Sequence, residues 1–378
     1  MTIEALQETS GSDWTGREIA QQPTVWEDLL SSIDAARPDL DAFITPLLAM
    51  PDLRIILAGA GSSAFIGRVV ATELTRMLAR PVEAIATTDI VAAPLQYLLP
   101  DRPTLLVSYG RSGDSPESLE CVRLADQVLA DCYHLTISCN ADGALARFAV
   151  GKPRNFALLM PPAALDQSFA MTSSVSAMAL ASIDAFAPDR QAAAGAIAAA
   201  RLHLAGNCAD IDELIALKPR RFIFLGSGTM QGIATEAALK ALELAGGVVD
   251  CYSDSPLGFR HGPKFLVDEQ TVVVVLDSAD SYTRNFDRDL ADELVRDGRA
   301  KRVVRLGALP AVSGTNLGGD LWQGLIYLIW CQQLAYRLAL SLGINPDNPC
   351  SNGQLNRVVK GVTFYPFDPT PRAGGTAE

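Results

Sequence analysis

The sequence predicts an α/β protein made of two units, each a parallel, doubly wound sheet flanked by helices. Three observations predict it. From Leu53 onward, short apolar runs alternate with helical segments, the pattern of parallel strands joined by crossover helices. The alternation then restarts at Arg221. Each half also opens with the same parts: a strand, a GAGSS turn and a helix at Ile55 to Gly67, and a strand, a GSGT turn and a helix at Phe222 to Gly232. Similarity at this spacing suggests duplication of one α/β unit.

The elements follow in order. Residues 1 to about 20 are polar and predict a loosely ordered start, and the next stretch reads as helices broken at Pro23 and Pro38. LRIILAGAG is a strand entering a glycine turn, SAFIGRVVATELTRMLAR a helix, and PVEAIATTDIV a short strand. TLLVSYG and CYHLTISCN are strands on either side of the helix PESLECVRLADQVLA. ALLMPPAALDQSFAMTSSVSAMALASIDAF reads as strand, polar loop and helix. The Ala-rich run QAAAGAIAAARLHLAGNCADIDELIAL is a helical bridge. In the second half, RFIFLG, TVVVVLD and KRVVRLG are strands and LWQGLIYLIWCQQLAYRLALSLG is a long buried helix. The expected division is an N-terminal helical segment 1–34, a first domain 35–205 and a second domain 206–378.

Composition narrows the function classes. Of 378 residues, 49% are hydrophobic and 20% charged, enough apolar material for a large core. A net charge of −12 argues against nucleic acid and against an anionic membrane surface as partners. It leaves room for a phosphorylated small molecule, because backbone N–H groups can bind an anion inside an acidic protein. The seven cysteines are scattered without CxxC spacing and there are three histidines, a pattern that argues against zinc and fits buried thiols in a reducing cytoplasm. The N-terminus has no apolar signal core and no run is suited to span a bilayer, so the expectation is a soluble, cytoplasmic protein.

Three turns rich in small and hydroxyl residues precede helices. The first is Gly59-Ala60-Gly61-Ser62-Ser63, where glycine permits close backbone approach and serine supplies hydroxyls. The second runs from Tyr109 to Ser118, with Ser112 and Ser115 around Gly113 and Pro116 at the first helical position. The third is Phe169 to Ser174, which includes Thr172. Each can be an ordinary capped turn; together they suggest an anion site at helix N-termini. Glu236, Lys240 and Glu243, at i, i+4 and i+7, are the charged residues of the segment ATEAALKALELAG. Such a row is either a solvated face with a favourable i,i+4 pair or an acid–base device. His261 lies in the Gly/Pro-rich loop Arg260-His261-Gly262-Pro263-Lys264, a place more suited to acid–base chemistry than to core packing.

The set GAGSS, SGDSPES, FAMTSS, GSGTMQGIATEAALKALEL and RHGPK resembles the sugar isomerase (SIS) fold family, in the tandem arrangement of the isomerase half of glucosamine-6-phosphate synthase. WTGREIAQQPTVW, FAMTSSVSAM, SDSPLGFRHGPKF and NRVVKGVTFYP look like the AgaS family, described as tagatose-6-phosphate ketose/aldose isomerase or galactosamine-6-phosphate deaminase. The match runs from about Trp14 to Pro366. The resemblance implies phosphate-binding hydroxyls at Ser63, Ser112, Ser115 and Thr172, with Gly61 beside them. It implies a carboxylate–lysine–carboxylate helix of Glu236, Lys240 and Glu243, Glu243 being the base between C1 and C2. It also implies His261 as the ring-opening residue, Lys360 as the near-terminal lysine, no metal or redox cofactor, and a homodimer with shared active sites. Gly110 stands where a serine is common in the phosphate cradle; Arg111 either compensates or faces solvent. No glutaminase domain or N-terminal cysteine nucleophile is expected, which favours deamination over synthesis. The implied reaction turns galactosamine 6-phosphate and water into tagatose 6-phosphate and ammonia. The alternatives are an aldose–ketose isomerase acting on a neutral sugar phosphate and a non-catalytic sugar-phosphate-binding regulator.

Overall fold

The computed structural model describes residues 13–369 apart from 315, 351, 352 and 354. The predicted loose start therefore lies largely outside the described residues. The chain opens with helices α1 (Trp14–Ala20) and α2 (Gln22–Leu48). Pro23 sits at the start of α2, as its missing N–H allows, but α2 continues through Pro38 and Pro46. The predicted break at Pro38 does not occur, and the 34/35 boundary falls inside this helix. The buried stripe of Trp26, Leu29, Ile33, Leu40, Ile44 and Leu47 holds α2 together across the proline. Arg37, beside it, donates to the Asp184 carboxylate at 2.5 Å. Packing here outweighs a local propensity penalty of about 3 kcal/mol.

The first sheet comprises β1 (Arg54–Ala58), β2 (Val82–Ala84), β3 (Thr104–Gly110), β4 (Cys132–Ser138) and β5 (Asn155–Leu159), in the parallel order β2-β1-β3-β4-β5. Its helices are α3 (Ser62–Leu78), α4 (Thr87–Ala92), α5 (Pro94–Tyr97), α6 (Pro116–Val128), α7 (Ala144–Ala149) and α8 (Ser173–Phe186). Half of the stretch read as the strand PVEAIATTDIV is thus helix α4. The Ala-rich bridge is two helices, α9 (Arg190–Ala205) and α10 (Ala209–Ala216), separated around Gly206.

The second sheet comprises β6 (Arg221–Gly226), β7 (Asp250–Asp254), β8 (Thr271–Leu276) and β9 (Arg302–Arg305), in the parallel order β7-β6-β8-β9. Its helices are α11 (Thr229–Leu244), α12 (Pro256–Phe259), α13 (Ser281–Asp297) and α14 (Asp320–Ser341). The four strands repeat the order of β2-β1-β3-β4. In such sheets ligands bind outside the carboxyl ends of the strands where the order reverses. Those points are β1/β3 and β6/β8.

The two halves meet helix to helix. A Cβ at Gly232 of α11 would lie 2.6 Å from the Val69 backbone nitrogen of α3, so glycine lets the helices touch. Thr72 and Thr229 hydroxyls meet at 3.0 Å beside this crossing. One hydrophobic core runs through both halves, from Leu57 and Val107 through Met178 to Ile233 and Trp330. Smaller clusters cover the outer faces of each sheet. Among the described residues no helix is long and apolar enough to cross a membrane.

Candidate active site

A cavity of about 230 Å³ opens at the β1/β3 point. Its walls bring together the first two hydroxyl-rich turns, the end of the Glu236–Lys240–Glu243 row and the C-terminal tail at Asn356 to Val359.

The first turn enters α3 through Gly61, whose φ of +56° suits glycine. A Cβ at Gly59 would lie 2.5 Å from the Ser63 carbonyl carbon, so this turn admits no larger residue there. The helix has no side-chain cap; the N–H groups of Ser63 and Ala64 donate to the Ala60 and Gly61 carbonyls at 3.1 and 2.9 Å, and among the described residues the Ser62 N–H has no acceptor. Among the described residues the Ser63 hydroxyl has only the Met171 sulfur as a partner, at 3.9 Å. In the second turn, Ser112 Oγ accepts the Asp114 N–H at 3.2 Å and keeps its own proton to donate. Asn140 fixes this turn by donating to the Ser112 carbonyl at 2.9 Å. Ser115 occupies the N-cap of α6 but makes no capping bond; its hydroxyl donates to Glu117 at 2.8 Å. A Cβ at Gly110 would lie 3.1 Å from Leu145 Cδ1, so a leucine crowds the place of the absent serine.

Arg111 is buried rather than solvent-facing. It donates to the carbonyls of Phe169 at 2.9 Å, Ser168 at 3.2 Å and Arg357 at 3.3 Å. Burial, together with the charge of Arg357, lowers its pKa to about 10. It adds positive charge beside the cradle, as compensation for the missing hydroxyl requires.

The charged row is not a solvated face. Glu236 and Lys240 are buried where α11 meets α3, and the Glu243 side chain, 27% exposed, reaches the cavity. Lys240 Nζ lies 2.5 Å from Glu243 Oε2 and 3.5 Å from Glu236 Oε1. The Ser62 hydroxyl donates to Glu236 Oε1 at 3.0 Å, while Glu236 Oε2 has no partner among the described residues. Burial pushes the Glu236 carboxyl up to about 7 against the pull of Lys240. Burial alone would lower the Lys240 pKa, but the two flanking carboxylates outweigh it and raise the value. The result is a carboxylate fixed at the cavity edge by a buried ammonium, an arrangement able to take a proton from one carbon and return it to the next.

Three expected residues lie elsewhere. Thr172 does not line the cavity: its N–H and hydroxyl donate to Asp166 at 2.8 and 3.3 Å. The N–H groups of Ser173 and Ser174 donate to the same carboxylate at 3.1 and 3.0 Å. The chain's own Asp166 therefore fills the third helix N-terminus. His261 is exposed and is not among the cavity walls. Its neighbours Arg260 and Lys264 both pair with Glu293 of α13, which anchors the loop and leaves Phe265, 87% exposed, on the surface. Lys360 is exposed and follows the cavity-lining Val359.

Tyr109, Phe169 and Met171 also line the cavity and were not singled out from the sequence. All three belong to the hydroxyl-rich turns, the only signal they offered. Away from the cavity, Asp126, Cys132 and His134 bring three metal-capable atoms within 4.8 Å of one another. Residues 132 and 134 share one face of β4, which spacing rules for cysteine pairs do not detect. The group closes on itself through a 2.7 Å contact between His134 Nε2 and Asp126 Oδ1.

Two parallel sheets of matching order, packed helix to helix over a hydroxyl-rich cradle, define a tandem SIS-fold protein. A family model described as the SIS domain matches residues 47–187. The chain is 48% identical to the D-galactosamine-6-phosphate deaminase AgaS of Shewanella sp. (strain ANA-3), over 94% of this chain and 93% of that protein. It is 42% identical to the D-galactosamine-6-phosphate deaminase AgaS of Escherichia coli, over 94% and 96%. A solved structure, the tagatose-6-phosphate ketose/aldose isomerase from Escherichia coli, superposes with a TM-score of 0.86 at 40% identity and covers 94% of this chain and 97% of that one. The chain belongs to the AgaS family.

Proposed function

We propose that this protein deaminates galactosamine 6-phosphate, giving tagatose 6-phosphate and ammonia. The observation that carries the reading is the Glu236–Lys240–Glu243 row, buried at its first two residues, which ends at the edge of the hydroxyl-rich cavity. The family relatives named as galactosamine-6-phosphate deaminases support it.

In this reading the phosphate rests on Ser63, Ser112, Ser115 and the N-termini of α3 and α6, which carry no side-chain cap, with Arg111 behind them. Gly61 lets the backbone approach. Glu243 removes the proton from C2 of the open-chain amino aldose, which forms an enolamine, and returns it to C1. The product is a ketimine at C2. Water adds to that carbon, the C–N bond breaks, and ammonia leaves as the ketose carbonyl forms. Lys240 holds Glu243 in place, and Glu236 balances the charge of Lys240.

His261 opens the sugar ring in this reading, and it does so in the site of a second copy of the chain. The outward-facing His261 loop supports that assignment, and Lys360 belongs with the tail near the cavity. Thiols outside any disulfide at Cys121, Cys132, Cys139, Cys208, Cys251 and Cys331 support a cytoplasmic setting. Mixing Glu243→Gln and His261→Ala chains tests the sharing. After subunit exchange, activity should return toward about a quarter of wild type at equal mixing, because half the dimers are mixed and each holds one intact site of two. No recovery despite exchange would place both residues in one chain.

The deciding assay is ammonia release across a panel of hexosamine 6-phosphates. Release should be fastest from the galactosamine compound. The name of the Escherichia coli structure favours a second reading, interconversion of a neutral aldose phosphate with tagatose 6-phosphate. That interconversion without ammonia release from any amino sugar would replace the deaminase reading.

A further inference from the structure

The second sheet has a cavity beside its own point of strand reversal, one strand further along. It lies at the carboxyl ends of β8 and β9 and measures about 560 Å³, within the range of small-molecule sites. Ser278 stands two residues past the end of β8, as Ser112 stands two residues past the end of β3. The donors of this turn are already occupied. The Ser278 N–H donates to Asp287 at 2.9 Å. The Ser278 hydroxyl and the Ala279 N–H donate to Asp320 at 2.9 and 2.6 Å. Asp280 caps α13 by accepting the Thr283 N–H at 2.8 Å. The amides of Ser278, Ala279 and Asp280 are thus all taken, the last by the Ser278 hydroxyl at 3.1 Å, and the carboxylates of Asp280, Asp287 and Asp320 do not line the cavity.

The cavity is nonetheless basic. Arg284 and Arg288, one turn apart on α13, face it together with Arg305 of β9. Among the described residues, the Arg284 and Arg288 guanidiniums have no hydrogen-bond or ion-pair partner. Asp277 is the one carboxylate among the lining residues. It holds Arg305 through Nε at 3.1 Å and Nη2 at 2.7 Å, and among the described residues Arg305 Nη1 has no hydrogen-bond partner. Three guanidiniums thus oppose one carboxylate, and the arginines offer the forked donors that fit phosphate oxygens.

The counterpart of the reactive row is also missing. Gly61 and Gly228 start α3 and α11 with the same φ of +56°. Counting from them, Glu236, Lys240 and Glu243 correspond to Val69, Glu73 and Arg76. Arg76 occupies the place of the proposed base and pairs with Glu73. We propose that this cavity is a second site, for binding without chemistry, in which Arg284, Arg288 and Arg305 hold a phosphate group by their guanidiniums.

Calorimetric titration of the full chain tests this, with inorganic phosphate and with a hexitol 6-phosphate, which has neither carbonyl nor amine to react. Two binding sites per chain are expected for at least one probe. Arg284→Gln/Arg288→Gln should weaken one of them by at least about tenfold and leave the other, and kcat at saturating substrate, unchanged. Arg288→Glu alone, at an exposed position, should have the same effect and guards against a folding defect in the double variant. Tighter binding of the hexitol ester would mean that the site takes the group on a sugar; equal binding would mean inorganic phosphate. One site per chain with both probes, or two sites insensitive to both arginine variants, would overturn the proposal.

Discussion

The β1/β3 and β6/β8 ends of this molecule share a backbone and differ in what occupies it. Gly61 and Gly228 have nearly the same dihedral angles, φ +56° with ψ −131° and −124°. Gly59 and Gly226 are both pressed against the first turn of the following helix, where a Cβ would lie 2.5 Å from the nearest backbone atom. At the first end, the N-cap serine of α6 leaves its helix uncapped. At the second, Asp280, Asp287 and Asp320 satisfy the equivalent donors. The fold supplies the anion-ready geometry twice. Whether it stays open depends on carboxylates brought from other elements, and chemistry depends on which helix contributes a base.

Glu243→Gln should have the largest effect, since it erases the feature that sets the first end apart from Arg76 at the second. Turnover should fall at least about a hundredfold, the usual scale of general acid–base catalysis, with little change in binding of an unreactive hexitol 6-phosphate. A kcat within a few-fold of wild type would remove Glu243 as the base.

Ser115→Asp would give the first end the self-capped character of the second. The new carboxylate should cap α6, stabilising the fold by about 0.5–1 kcal/mol, and repel the phosphate. Thermal melting should therefore rise while substrate affinity falls by at least about tenfold. A variant that binds substrate normally would show that the phosphate does not use this helix. Ser112→Ala, a milder change, should raise KM by the equivalent of about 1.5–3 kcal/mol, the worth of one hydrogen bond to a charged group.

The buried row also predicts a pH effect on stability. Glu236 has a folded-state pKa of about 7, above the ordinary 4.5, because of burial. Between these values the folded protein keeps a proton that the unfolded chain releases. Stability should therefore fall as pH rises across that window and level off above it, by up to about 3 kcal/mol from this group. Glu18, also near 7 through burial and the charge of Asp166, acts in the same direction. Melting curves at pH 5 and pH 8 should differ less in Glu236→Gln than in wild type; parallel behaviour would exclude Glu236 as a source. The smallest effect belongs to Thr172→Ala. Its hydroxyl faces Asp166, so substrate affinity should change less than about twofold. A loss as large as that of Ser112→Ala would bring Thr172 back to the phosphate.

Much of this was legible in the chain itself. Apolar runs such as Leu105 to Tyr109 and Thr271 to Leu276 announced buried parallel strands, and the glycine turns marked where they enter helices. The spacing of Glu236, Lys240 and Glu243 placed them on one face before any packing was known. These features depend on neighbours a few residues away, and the sequence states such neighbours directly.

Tertiary structure decided the rest, because it depends on residues far apart in the chain. Pro38 stays helical because α2 is held along a buried stripe and by Arg37 on Asp184. The FAMTSS turn looked as ready for an anion as SGDSPES, yet Asp166 reaches back to fill it. The serine turn after β8 is closed by Asp287 and by Asp320 of a helix 42 residues away. Sequence determined the strands, turns and charged row, since local sterics and periodicity act over one or two turns of chain. Only the fold decided which helix N-termini stay open, because a buried donor takes whichever acceptor the packing delivers.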